Sequence, residues 1–183
     1  MQHRNACAAL LLAMLLPGCA TADSTLPPLA SVAPRAYTLG PGDELRVSVL
    51  GLDAMNNTYL VGDTGAISIP MLEPIEVQGK TIRDVEQAIG QAILARQLVL
   101  EPKVNAQVQA YRPFFISGEV QRPGQYPYVP GMSVMTAVSV AGGYTFRADK
   151  KRITVTRAAT AGVTGPTAPV MPGDLIVVRE RWF

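Results

Sequence analysis

Imidazole and thiol are nearly missing from this sequence. Its 183 residues include one histidine, His3, and two cysteines, Cys7 and Cys19. Beyond residue 19 there is therefore no imidazole base, no thiolate and no disulfide partner. That excludes Ser-His-Asp and Cys-His catalysis, zinc sites built on His and Cys, and thiol redox chemistry from the rest of the chain. Charge is also scarce: Asp, Glu, Lys and Arg make up 16% of the residues and the formal net charge is only +2. Such a balance gives no electrostatic footprint for nucleic acid or a charged membrane surface, and no nucleic-acid partner is expected. Long apolar runs are missing except for one, Ala6 to Leu16, which at about eleven residues is too short to span a bilayer. What is plentiful is punctuation. With 16 Gly and 15 Pro, the chain reads as turn-rich and strand-rich, and not as a helical bundle.

The apolar run follows Arg4 and ends in Leu16-Pro17-Gly18-Cys19. Length and flanks suit the apolar region of a secretory signal. The last four residues resemble the bacterial lipobox, in which cysteine becomes the first residue of the mature protein and carries acyl chains. On that reading residues 1–18 are a lipoprotein signal peptide, Cys19 is the lipid attachment site, and Cys7 and His3 leave with the signal. Ala20 after the cysteine, where an aspartate would argue for inner-membrane retention, implies an outer-membrane address on the periplasmic face. An exported chain without disulfides must be held by packing or by association with further copies.

Residues 19–36 are rich in Pro, Ser, Thr and Ala with no apolar period, which predicts a flexible tether. A first folded block, residues 37–111, opens with a turn at Pro41-Gly42-Asp43 and the alternating strand Leu45–Val49. Asp63-Thr64-Gly65 predicts another turn, leading into a strand at Ile67–Pro70. Thr81 and Asp84 form a variant capping box for a helix whose apolar face is Ile82, Val85, Ile89, Ala92 and Ile93. Val104–Ala110 has the period of two expected of a strand. The second block, residues 112–183, starts with an apolar strand at Phe114–Val120. A type II turn is predicted at Arg122-Pro123-Gly124, then a short helix from Ser133 stopped by Gly142-Gly143. Strands follow at Ile153–Thr156 and Leu175–Val178, with a small-residue loop between Ala158 and Val170. Pro172-Gly173-Asp174 repeats the Pro-Gly-Asp of the first block. The fold class expected is α+β, two small domains in tandem behind a lipidated flexible tether.

Several of these landmarks together carry a family. Tyr37–Val49, Asp63-Thr64-Gly65, Ile69-Pro70, Gln78-Gly79-Lys80-Thr81 and Glu101-Pro102-Lys103-Val104 resemble the polysaccharide biosynthesis/export domain. Ser117-Gly118-Glu119-Val120, Arg122-Pro123-Gly124 and Ala137 to Gly143 resemble the soluble-ligand-binding β-grasp (SLBB) domain that follows it in outer-membrane polysaccharide export proteins of the Wza type. The resemblance implies a non-enzymatic lipoprotein that forms homo-oligomeric rings and conducts capsular polysaccharide or exopolysaccharide. The implied partners are the polysaccharide chain, further copies, and an inner-membrane polysaccharide co-polymerase. Larger relatives continue into more β-grasp repeats and a membrane-crossing helix. A chain stopping at Arg181-Trp182-Phe183 reads as a short member, which implies a separate outer-membrane β-barrel. No metal or cofactor is implied.

Other readings remain for particular residues. Asp43-Glu44 could be a hydrolase acid pair, although neighbours in a strand face opposite sides and a glycosidase needs two converging carboxylates. The alternative is that Asp43 caps its turn by accepting from backbone amides. The basic run Lys150, Lys151 and Arg152, with Arg147 and Arg157 near it, could line a path for acidic sugars, or form a solvated face. Tyr126 and Tyr128 could stack on sugars or plug a small core. Trp182-Phe183 suits an interface or packing on its own domain. Beside the conduit stand a monomeric carbohydrate-binding or sensing lipoprotein and, last, a carboxylate-based polysaccharide hydrolase.

Overall fold

Alternation of apolar and polar side chains builds the first sheet. In the computed structural model, which describes residues 36–181, strand β1 (Glu44–Val49) buries Leu45, Val47 and Val49 and turns Arg46 and Ser48 to solvent. It is the central strand of an antiparallel sheet, flanked by β2 (Asn57–Leu60) and later by β5 (Val104–Ala110). A two-stranded ribbon, β3 (Ala66–Ile67) and β4 (Ile75–Glu76), lies between β2 and the helix in sequence. The strand expected through Pro70 ends at Ile67, three residues early.

Helix α1 (Ile82–Ala95) starts where the capping box places it. The Thr81 hydroxyl accepts from the Asp84 N–H, and the Asp84 carboxylate accepts from the Thr81 N–H and hydroxyl. These bonds hold the Asp84 carboxyl below its ordinary range. Val85, Ile89 and Ile93 recur every three to four residues and are fully buried against the β1–β5 sheet, joining Leu45, Val47 and Ile67 in one core. Burying each such side chain is worth roughly 1.5–3 kcal/mol, so this stripe anchors the domain.

The second domain has its own core. Its elements are β6 (Phe114–Gly118), β7 (Gly124–Tyr126), α2 (Val134–Val140), β8 (Ala148–Arg157), β9 (Thr160–Thr164) and β10 (Leu175–Glu180). The sheet runs β7-β6-β10-β8-β9, with β6 and β10 parallel and the other pairs antiparallel. Val134, Ala137 and Val138 of α2 pack with Phe114, Ile116, Ile153 and Ile176 of the strands. A helix on a mixed five-stranded sheet gives an α+β unit, so the chain is two α+β domains in tandem.

Ser133 caps α2 through the Thr136 N–H, and both glycines after it are left-handed, with φ of 87° at Gly142 and 94° at Gly143. Two local expectations are corrected. Gly124 is not left-handed; it opens β7 opposite Ile116, so Pro123-Gly124 makes no type II turn. The glycine that matters is Gly118, where a Cβ would stand 2.0 Å from the Val178 carbonyl oxygen. The expected loop from Ala158 to Val170 contains β9, which forms a hairpin with β8. Its two-residue turn is Ala158-Ala159, at φ of 44° and 68°. Alanine carries no sequence signal for that conformation, which hairpins usually fill with Asn or Gly.

Residues 1–18, Cys19, the tether before Ala36, and Trp182-Phe183 lie outside the described residues. Among the described residues no helix is long and apolar enough to cross a membrane.

Candidate functional site

The repeated Pro-Gly-Asp sequences fold into the same turn twice. Proline at the second position fixes φ, and glycine at the third takes the positive φ a type II turn requires, 90° at Gly42 and 83° at Gly173. In each turn the aspartate N–H closes the hydrogen bond, Asp43 to Gly40 O and Asp174 to Met171 O. Each aspartate then reaches back: Asp43 Oδ2 accepts from the Gly40 N–H and Asp174 Oδ2 from the Met171 N–H, both at 2.8 Å. Both carboxylates are fully buried, and a buried charge must be paired and hydrogen-bonded to persist.

Two arginines do the pairing. Arg157, near the end of β8, grips Asp174 with a fork, Nε to Oδ1 at 2.9 Å and Nη2 to Oδ2 at 2.7 Å. The bond to Asp174 pushes the Arg157 guanidinium pKa up. Arg112, in the connection between β5 and β6, holds Asp43 through its backbone N–H (2.8 Å) and Nη1 (3.2 Å). It also donates from Nε to the Pro172 carbonyl at 3.2 Å. One arginine therefore links the buried carboxylate of the first domain to the turn of the second. The Gly173 N–H adds a bond to Pro113 O at 3.0 Å. A Cβ on Gly40 would stand 2.3 Å from Arg112 Nη1, so a larger residue there would push the guanidinium aside.

Aromatic rings run along the same junction. Tyr37 meets Tyr111 edge-on at 5.0 Å, and Tyr111 meets Tyr128 edge-on at 5.5 Å. The Arg112 guanidinium lies over the Tyr37 ring at 5.8 Å. The Tyr37 hydroxyl donates to Asp43 Oδ2 at 2.6 Å. Burial, followed by that bond to a carboxylate, drives the Tyr37 phenol pKa far up; burial also raises Tyr128. Beside these groups opens a cleft of about 640 Å³, lined by Tyr37, Arg112, Tyr128, Arg157, Met171 and Pro172 among others. Aromatic faces with guanidinium edges are the chemistry that grips a hydroxyl-rich ring.

Most of the expected residues fall elsewhere, Tyr128 and Arg157 being the ones that line the cleft. Arg147 bonds Glu180 through Nε and Nη2. Lys150 lies 5.8 Å over the Tyr144 ring, and Lys151 and Arg152 are exposed on β8. None of these four lines the cleft. Tyr126 stacks on Phe114 at 5.9 Å and donates to Arg122 O, as a plug over the core. Tyr128 packs on that core and also faces the cleft. Asp43 is a turn-capping residue with both oxygens committed, and Glu44 beside it is half-exposed, so the two do not converge as an acid pair. No cluster of three metal-ligating side chains occurs among the described residues. Arg157, expected beside the basic run, does line the cleft, whereas Tyr37, Tyr111 and Arg112 are not singled out as site residues by any local motif. The recurrence of Pro-Gly-Asp is the signal that could have found them.

The polysaccharide biosynthesis/export protein family matches residues 31–109, and the SLBB domain matches residues 113–171. The exopolysaccharide production protein ExoF of Rhizobium meliloti (strain 1021) is 37% identical over 120 residues. That match takes in 58% of this chain and 28% of the relative, so the chain spans under a third of that protein's length.

Proposed function

We propose that this chain, which the polysaccharide biosynthesis/export family matches over residues 31–109 and the SLBB domain over residues 113–171, is a periplasm-facing outer-membrane lipoprotein. Its copies assemble into an oligomeric conduit for exopolysaccharide or capsular polysaccharide. The observation that carries this reading is the Arg112 clamp. A passive conduit needs walls of fixed shape, and Arg112 ties the Asp43 turn of one domain to the Pro172 carbonyl of the other. Cys19 provides the anchor through its acyl chains, each methylene contributing about 0.8 kcal/mol. The chain carries no nucleotide-binding loop, so the drive comes from synthesis and from an inner-membrane co-polymerase, with a separate outer-membrane β-barrel completing the route. Of the basic residues expected along the polymer's path, Lys150 is the one left to face it, since Arg147 is held by Glu180 and Arg157 by Asp174, and Lys151 and Arg152 serve contacts between copies. The role proposed is non-enzymatic, and the commitment of the buried Asp43 carboxylate to its turn and to Arg112 argues against the Asp43-Glu44 acid pair.

Deleting the gene tests this directly. Surface polysaccharide is lost while lipid-linked repeat units still assemble; continued surface display would overturn the reading. Cys19→Ser shifts the protein out of the membrane fraction or leaves it uncleaved. Palmitate label persisting on that variant would exclude Cys19 as the attachment site.

The cleft beside Tyr37, Tyr128 and Arg157 favours a second reading, a monomeric carbohydrate-binding or sensing lipoprotein. Native mass of the detergent-extracted protein separates the two: rings support the conduit, and a stable monomer supports the binder.

A further inference from the structure

The near-neutral whole conceals two oppositely charged halves. Residues 37–111 hold five Lys and Arg against nine Asp and Glu, a net charge of −4. Residues 112–183 hold nine against four, a net charge of +5. Two copies of such a molecule attract when the acidic domain of one faces the basic domain of the other.

Each half also exposes one large apolar side chain almost completely. Among the described residues Leu100 and Phe146 are the two most exposed large hydrophobics, each at 93%. Leu100 sits on the acidic domain, at the rim of a groove of about 550 Å³. Leu94 of α1, Pro102 and Val104 supply its apolar lining, and Glu86 and Glu101 its charge. Phe146 sits on the basic domain, in the turn that opens β8 and its run of Lys150, Lys151 and Arg152. An exposed aromatic beside cations on one domain, and an open apolar groove edged with carboxylates on the other, are complementary in polarity and in sign. Aromatic anchors in pockets, with charges at the rim, are how association energy and orientation are usually divided.

We propose that Phe146 of one copy seats in the Leu94–Leu100 groove of a second copy, with Lys151 and Arg152 set towards Glu101. This deepens, and rests on, the oligomeric reading given above. Two different patches meet, so each added copy leaves one patch of each kind unfilled, and assembly continues until the ends join.

The test is a cysteine pair, Leu100→Cys with Phe146→Cys, in the full chain with Cys7 and Cys19 replaced by Ser so that no other thiol can pair. Both sites are exposed, so folding is retained, and circular dichroism checks it. Under mild oxidation the double variant gives a ladder of disulfide-linked multimers, whereas mixing the two single variants gives dimers only. A control pair replaces Leu100→Cys by Leu50→Cys, another exposed position (76%) on the same domain. The control gives much less product. The ladder weakens at about 1 M salt, where screening shortens to about 3 Å, and in the Lys151→Glu/Arg152→Glu background. A ladder no stronger than the control, or one ending at a closed dimer, overturns the contact. If native mass still shows rings, only this interface fails. If the wild type is monomeric throughout, the oligomeric reading falls with it.

Discussion

Asp43 and Asp174 occupy the same place in two copies of one turn. Each is buried and accepts from the backbone N–H three residues before it, and each is met by an arginine. The difference lies in where the arginine stands. Arg157 belongs to the same domain as its aspartate, whereas Arg112 reaches Asp43 across the junction while also bonding the Pro172 carbonyl of its own domain.

Arg112→Ala should therefore do more than Arg157→Ala to the coupling between domains. Leaving Asp43 buried without its guanidinium costs about 2–3 kcal/mol, towards the lower end for a buried pair because Arg112 is partly exposed. Urea denaturation of Arg112→Ala should separate into two transitions, one for each core, while Arg157→Ala, with the clamp intact, keeps one transition at a lower urea concentration. Arg112→Lys should not restore the single transition, since an ammonium cannot serve the two acceptors with a planar fork. A single sharp transition in Arg112→Ala would show that the clamp does not couple the domains.

Tyr37 should make the junction sensitive to alkali. Its folded pKa lies above the ordinary value of 10.0, so the neutral phenol is the form that the fold stabilises. That contribution is complete below about pH 10 and is lost as pH rises beyond it. Tyr37→Phe should cost roughly 1–2 kcal/mol at neutral pH through the lost bond to Asp43. The gap from wild type should narrow above about pH 10, where only the wild type has this phenol to ionise. A gap that widens with pH would contradict the assignment.

Gly142 and Gly143 should differ on substitution. Both have positive φ, worth about 1–2 kcal/mol against any L side chain. A Cβ at Gly142 would also stand 3.0 Å from the Gln121 Cβ, whereas nothing lies within 4 Å of one at Gly143. Thermal melting should place Gly142→Ala below Gly143→Ala, and both below wild type.

The Ala158-Ala159 turn offers the opposite experiment. Ala159→Gly alone should stabilise by roughly 0.5–1 kcal/mol, after allowing for the looser unfolded chain. Combining Ala158→Asn with Ala159→Gly should give about 1–2 kcal/mol, since that pair suits a two-residue hairpin turn. Loss of stability in both variants would mean that the hairpin turns differently.

Local chemistry made much of the fold legible. Thr81 and Asp84 announced α1, the alternation of Val104 to Ala110 announced β5, and Gly142-Gly143 marked the end of α2. Strand β9 was hidden because alanine at positive φ leaves no trace in composition. Gly124 misled because a Pro-Gly pair suits a turn or a strand start equally well until its partner, Ile116, is known. The junction was less visible still. Asp43 and Arg112 are separated by 69 positions, and neither residue type at that distance predicts a contact. The charge asymmetry lay in the sequence throughout, but averaging over the whole chain cancelled it.

Strand β10 lies in the middle of its sheet, between β6 and β8. Until that segment leaves the ribosome, the β6–β7 and β8–β9 hairpins have no common neighbour, and Ile116 and Ile153 have no Ile176 to pack with. Neither hairpin is stable alone in water. Synthesis order thus keeps the second domain open to the last, and its long-range parallel pairing closes slowly. For a chain that crosses a membrane unfolded, as the proposed address requires, this placement acts as a timing device that holds the polypeptide in a translocatable state.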